Sequence, residues 1–311
     1  MKFNNFALSS TKIKSNWFEG GKKSIYKQIG EEEGLNLYLQ LFRFRLHQMV
    51  GTQKENYTHH IFRITIGELT KFTKINLTKK LTHKQIVDLL KKMEKAGIIK
   101  LHTPSRWNQL VDDNGKIKSD KLVVLEATDV PNTYVEKNEK GQDVDKPVNE
   151  DEDWYVPINF RMIEYIYNDL SLTSKELTVY LLLMKLSNGG EHKATININT
   201  MKDRLGFSNE TILEILKVLN KNRLVATYVK RKKKKISFEH VPLKSFNHID
   251  SFKRVNEEQC IKFLNRYKKK DKAKSEKSSP FDNVDEAVES DDWGSIPNGY
   301  NKETGEIEII L

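Results

Sequence analysis

The sequence predicts an α+β, mainly helical chain that carries two tandem winged helix-turn-helix domains and ends in a disordered acidic C-terminal tail. Two observations carry most of that expectation. Residues 82–99 (THKQIVDLLKKMEKAGII) and 208–225 (SNETILEILKVLNKNRLV) repeat one pattern at a constant offset of 126 residues. Ile86, Leu89, Leu90, Met93, Ile98 and Ile99 of the first fall on Ile212, Ile215, Leu216, Leu219, Leu224 and Val225 of the second. Each copy reads as a polar cap, a helix with one apolar face, a polar corner and a β-prone pair, which is the pattern of a recognition helix running into a wing. The second observation is the division of charge. The net charge is +10, but from Ser275 onward there are ten acidic residues against two lysines, so the first 274 residues carry about +18. A basic body suits a polyanionic partner.

The elements follow in order. Residues 1–23 are polar and basic and read as an N-terminal arm, with Phe3, Phe6, Trp17 and Phe18 as docking points. The first domain spans 24–128. Gly34 opens a largely apolar scaffold helix, LNLYLQLFRFRLHQM, and IFRITI alternates like a strand. GELTKFTKI reads as a short helix with Leu69 and Phe72 inward. Thr82 and Gln85 form a capping box that opens the recognition helix, and Gly97 permits the left-handed turn that closes it. Residues 98–102 and 121–127 are the wing strands, with the turn signal DDNGK at 112–116 between them.

Residues 129–153 are acidic and interrupted by Pro131, Gly141 and Pro147, which reads as a linker. The second domain spans 154–250. It begins with an extended piece and a short helix, followed by a capping box from Thr173 to Glu176 and a scaffold helix that ends at Gly189 and Gly190. ATINI is a strand, Asn199 caps a short helix, Gly206 and Phe207 make the turn, and Ser208 caps the second recognition helix. Residues 224–229 and 236–240 flank a basic turn. Residues 251–268 form an amphipathic helix started by Asn256 and Gln259, with Ile261, Leu264 and Tyr267 on one side, suited to docking on the second domain or to dimerisation. Residues 269–311 are low-complexity and read as disordered in isolation.

Composition narrows the function classes. Cys260 is the only cysteine, so no intrachain disulfide or cysteine zinc cluster is expected, and a reducing compartment fits. No run of about 18 apolar residues occurs and no signal-type core opens the chain, so a cytoplasmic protein without membrane contact is expected. Enzyme signatures fail. GGKKS at 20–24 lacks the earlier glycine and the residue order of a phosphate loop, and His59 and His60 are adjacent and lack a third ligand. Tyr26, Tyr57 and Tyr267 have nothing beside them that supports a nucleophile. No catalytic residue, metal ligand or cofactor is expected.

The binding chemistry sits on the outward helix faces. With Ile86, Leu89, Leu90 and Met93 inward, the first recognition helix presents His83, Lys84, Val87, Asp88 and Lys91. Lys71, Lys74, Lys79 and Lys80 precede it as phosphate-positioning cations. The second presents Asn209, Glu210, Thr211, Leu213, Glu214 and Lys217, a less basic face. Its wing compensates, because Lys230, Arg231, Lys232, Lys233, Lys234 and Lys235 form an unbroken cationic run at a hairpin tip. Leu213 and Val218 leave open that one of the two domains serves dimerisation, so a homo-oligomer is expected. In the tail, Phe281, Trp293, Ile296 and Tyr300 interleave with acidic residues as in a short motif for a partner groove, although a purely solvating tail would look similar.

Residues 155–226 (YVPINFRMIEYIYNDLSLTSKELTVYLLLMKLSNGG and, after a short gap, INTMKDRLGFSNETILEILKVLNKNRLVA) carry a resemblance. This stretch resembles the winged-helix domain of plasmid and phage replication initiators and of the replisome-organising, primosomal proteins of low-GC Gram-positive bacteria. Their LGxSxxTI-like corner is matched by Leu205, Gly206, Ser208, Thr211 and Ile212. The tandem arrangement, over 24–128 and 154–243, is similar to that of theta-type plasmid initiators. The resemblance implies a non-enzymatic protein that binds double-stranded DNA at origin repeats, distorts it and recruits host helicase-loading or primosome proteins through its tail or linker. A transcriptional regulator with tandem winged helices, and a partition or structural adaptor that uses one of them for protein contacts, are the alternatives.

Overall fold

The computed structural model describes residues 10–44, 57–58, 61–75, 78–102, 106–129, 133–137, 143–147, 155–187, 193–232 and 235–273. The chain is α+β and mainly helical. It divides into two compact units, Met1–Thr178 with Asp203–Gly206, and Val179–Lys202 with Phe207–Leu311.

In the first unit, the stretch expected as an arm is built into the fold. Strand β1 (Ser10–Lys14) pairs antiparallel with β8 (Tyr155–Asn159), and Trp17 and Phe18 behind it are fully buried. The Trp17 indole donates to Asp129 Oδ2 at 2.8 Å and the Tyr38 hydroxyl to Asp129 Oδ1 at 2.5 Å, tying this segment to a residue 112 positions further along the chain. Phe3 and Phe6 lie outside the described residues. Helix α1 (Ile25–Gln28) is capped by Ser24, and α2 (Glu31–Leu41) is the scaffold helix. Gly34 does not open α2 but sits in its first turn, where an added Cβ would stand 2.1 Å from the Ile29 carbonyl oxygen.

After β2 (Tyr57–Thr58), strand β3 (Ile61–Thr65) buries Phe62 and Ile64 by simple alternation. Helix α3 (Ile66–Phe72) follows, started by a capping box between Thr65 and Glu68. Leu69 points inward as expected. Phe72 does not: it is 40% exposed and stands against Arg43, whose guanidinium lies 5.2 Å from the ring centroid. Helix α4 (His83–Lys95) begins at the Thr82–Gln85 capping box and ends at Gly97, whose φ of 74° is left-handed. Strands β4 (Ile99–Leu101) and β5 (Leu122–Ala127) complete a sheet of order β3-β5-β4.

The acidic stretch expected as a linker contains strand pairing. Strands β6 (Thr133–Lys137) and β7 (Asp143–Pro147) pair antiparallel, with β2 on the other side of β6. After β8 come α5 (Phe160–Glu164), a wide turn at Tyr165–Asp169 and α6 (Ser174–Leu186).

In the second unit, β9 (Ala194–Thr195) precedes α7 (Ile198–Leu205), which is capped by Asn197 and not Asn199: the Thr200 amide donates to Asn197 Oδ1 at 2.7 Å. Helix α8 (Asn209–Lys221) starts at the Ser208 cap. Strands β10 (Val225–Lys232) and β11 (Lys235–Pro242) form the order β9-β11-β10, the same order as in the first unit. Helix α9 (Ile249–Ala273) packs on α8 and β10. Asn256 does not start it. It is buried inside the helix, donates to the Phe252 carbonyl and accepts from the Tyr228 hydroxyl. The buried stripe of α9 is Phe252, Asn256, Cys260 and Phe263, whereas Ile261 is 41% exposed.

The repeat is as regular in structure as in sequence. Helices α4 and α8 both have 13 residues, and all six repeated apolar pairs are buried. A polar clamp repeats too. Glu94 in α4 accepts from the Leu101 amide, and Asn220, 126 residues on, accepts from the Thr227 amide at 2.9 Å. Each locks its helix to the strand that follows. At the second clamp Asn220 also donates to Thr227 Oγ1, whose oxygen lies 3.1 Å from His240 Nδ1.

Candidate nucleic-acid interface

The reciprocal capping box fixes where α4 begins, and therefore which residues its apolar stripe leaves outside. Lys84, Asp88 and Lys91 are exposed along one stripe at i, i+4 and i+7, and His83 is half-buried beside them. The connection from β4 to β5 runs back toward this stripe. Trp107–Leu110 forms a single helical turn that buries Leu110, with the Trp107 indole donating to Glu94 at 2.5 Å. Val111 and Ile117 then bridge across a tight loop. Within that loop Asp112 Oδ1 accepts from the amides of Asn114 (3.0 Å) and Lys116 (2.7 Å), and Gly115 takes the left-handed conformation with φ 77°. An Asx turn of this kind is fixed by local bonds from the Asp112 side chain to the backbone of its own loop.

Helix and loop together enclose an open groove of about 480 Å³. Thr82, His83, Lys84, Val87, Asp88 and Lys91 make one wall, and Val111, Gly115, Lys116 and Ile117 the other. Val87 corrects the sequence reading. It is 2% exposed although it lines the groove with Val111 and Ile117, so its side chain is packing and not a contact. Among the described residues, the side chains of Lys84, Asp88, Lys91 and Lys116 take part in no ion pair. Other cations are committed: Lys27 to Glu31, Arg43 to Glu164 and Arg223 to Glu257. The groove thus concentrates three cations and one acid whose charges are unspent.

The other expected contacts are less open. Lys79 and Lys80 are exposed on the strap before α4, where Lys80 bridges to Lys74, and the Lys74 ammonium donates to Asn168 Oδ1 at 2.8 Å. On α8, Asn209 donates to Asn199 Oδ1 at 3.3 Å, the Thr211 hydroxyl lies 3.1 Å from Ser208 Oγ in the cap, and Lys217 lies 3.8 Å from Glu214. Leu213 and Val218 are half-buried. The cationic run is not a loop: Lys230, Arg231 and Lys232 belong to β10 and Lys235 to β11, with Lys232 paired opposite Lys235, while Lys233 and Lys234 lie outside the described residues.

Lys116 and Gly115 were legible only as part of a turn signal, and only the fold brings them to α4. In the GGKKS segment, Ser24 is buried and its hydroxyl accepts from the Lys27 amide, so it is spent on capping α1. His59, His60 and everything after Ala273, including the acidic tail, lie outside the described residues. Among the described residues no group of three or more His, Cys, Asp or Glu is placed to hold a metal, and no helix is long and apolar enough to cross a membrane. No family model, no curated protein and no solved structure matches this chain.

Proposed function

We propose that the chain is a sequence-specific, double-stranded DNA-binding protein made of two winged helix-turn-helix modules, with the α4 groove as its principal reading surface. The observation that carries this is the groove itself. A capped helix presents Lys84 and Lys91 unpaired, and a preorganised loop brings Lys116 beside them. A helix presented this way fits the width of a major groove, and a loop adjoining its outer face is positioned to follow the neighbouring backbone. Each phosphate neutralised releases condensed counterions, so affinity should fall steeply with salt. Lys79, Lys80 and the run at 230–235 would add further phosphate contacts.

Among DNA-binding roles we favour replication initiation at origin repeats. The support is the resemblance of residues 155–226 to initiator winged helices, at Leu205, Gly206, Ser208, Thr211 and Ile212, together with two modules of one topology suited to repeated sites. On this reading the protein works in the cytoplasm as a homo-oligomer, its tail recruits helicase-loading or primosome proteins, and it needs no metal or cofactor. The test is to incubate the full-length chain with fragmented DNA of its source at moderate salt and to sequence what is retained. Clustered repeats in one locus support an initiator. Sites scattered over promoters replace it with a regulator, and absence of enrichment overturns DNA reading altogether.

A further inference from the structure

We infer that Asp88 is a specificity-determining residue of the α4 groove, and that it selects cytosine by accepting a hydrogen bond from the cytosine N4 amino group. This rests on the DNA-binding reading above. A carboxylate in a cationic groove repels phosphate, so Asp88 has no place in backbone contact. Its ordinary structural use would be an ion pair with Lys84 or Lys91, which stand four residues before it and three after it on the same face. That pairing is absent among the described residues. At the equivalent position of the other copy it forms, between Glu214 and Lys217 at 3.8 Å. Asp88 is exposed, unspent and lines the groove.

The chemistry of base edges then narrows the choice. In the major groove only cytosine shows a donor without an adjacent acceptor; adenine sets N7 beside its amino group, and guanine and thymine present oxygens that repel a carboxylate. Along the helix Lys84 is displaced from Asp88 by about 6 Å and Lys91 by about 4.5 Å, one to two base-pair steps, from a rise of about 1.5 Å per residue. Lysine favours guanine O6 and N7. The stripe Lys84, Asp88, Lys91 therefore reads a cytosine flanked within one or two steps by guanine acceptors.

The experiment is selection of bound duplexes from a randomised library by the full-length wild-type chain, Asp88→Asn and Asp88→Ala at one salt concentration. In wild type, cytosine is enriched about ten-fold at one position. Asp88→Asn moves that preference to adenine, which an amide pairs through N6 and N7, and Asp88→Ala erases it while the flanking guanines persist. Both variants bind random duplex several-fold more tightly, because a repulsive charge is gone. A wild-type motif that survives unchanged in both variants overturns the assignment of Asp88 and leaves DNA reading intact. No motif in the wild type overturns both.

Discussion

The two copies of the repeat bury the same six apolar positions and differ at the seventh. Val87 in α4 is buried, whereas Leu213, which occupies its place in α8, is half-buried. The cause lies in what joins the strands that follow. β4 and β5 are joined by residues 102–121, long enough to return to α4, where Val111 and Ile117 line the same groove as Val87. β10 and β11 are joined by residues 233–234, which cannot reach that far. Charge diverges with the covering. Lys84 and Asp88 correspond to Glu210 and Glu214, so one helix faces a basic groove and the other carries an acidic face. The repeat has thus kept its core and split its surfaces: among the described residues, the long connection gives α4 a groove wall that the two-residue connection does not give α8.

The strongest way to break this comparison is to neutralise each surface in turn. Replacing Lys84, Lys91 and Lys116 together by alanine should lower duplex affinity about a hundred-fold near 0.1 M salt and reduce the slope of log affinity against log salt by roughly three. Replacing Glu210 and Glu214 by alanine should raise affinity, by less than about three-fold. Fluorescence anisotropy on one duplex over a salt series checks both. Equal losses from the two sets would show that the copies share the work.

Val87 and Leu213 sharpen the comparison in stability. Val87→Ala should cost about 2 kcal/mol in urea unfolding, since a fully packed side chain leaves a cavity under the loop. Leu213→Ala should cost less than about 1 kcal/mol despite removing more carbon, because the side chain is already half in water. A larger cost for Leu213, growing with protein concentration, would mean that a second copy covers it.

Periodic apolar residues made the repeat, helices α4 and α8 and the caps at Thr82 and Ser208 readable from sequence, because a helix face and a capping hydroxyl are local properties. What failed was decided at a distance. Val87 and Phe72 sit at helix positions whose burial depends on what another segment brings: Val87 ends up buried, whereas Phe72 meets Arg43 and Phe44 and stays 40% exposed. Asn256 has the residue type of a cap, but it is buried and its amide oxygen accepts from the Tyr228 hydroxyl, which no spacing rule distinguishes. The groove was half legible: its helix residues could be named, while the loop wall of Gly115 and Lys116 needed the fold. The pairing of β6 with β7 was hidden because acidic, proline-broken composition reads as linker even where backbones pair.

Acid should separate the units. Burial holds the His240 imidazole down at about 3, against about 6.5 in an unfolded chain. Between those values the unfolded state binds a proton that the folded state refuses, so this group's contribution is full above pH 6.5 and is lost as pH falls, by up to about 1.4 kcal/mol per unit. In the first unit burial pushes the Asp129 carboxyl up, outweighing the donors Tyr38 and Trp17. The sign there is opposite: its contribution is present below the unfolded value of about 3.9 and is lost as pH rises through the raised folded value. Hydrogen exchange from pH 6.5 to 4.5 should show the second unit loosening first, and His240→Gln should flatten that dependence. Unchanged slope in the variant would remove His240 as the cause.

The smallest effect tests how each helix ends. Gly97 and Arg223 are equivalent, both left-handed at φ 74° and 58°, and both are followed by the same closing bond, Ile98 to Met93 and Leu224 to Leu219. Glycine takes that conformation without strain, whereas arginine pays about 1 kcal/mol for it. Gly97→Ala, with nothing within 4 Å of the added Cβ, should therefore destabilise by about 1 kcal/mol through backbone strain alone. Arg223→Gly should come out within about 0.5 kcal/mol of neutral. Relief of strain is offset by the looser unfolded chain and by loss of the ion pair to Glu257 at 3.0 Å and the bond to the Lys221 carbonyl at 2.7 Å. If Arg223→Gly instead stabilises by a full 1 kcal/mol, the pair to α9 contributes nothing, and the arginine at this corner is tolerated without compensation.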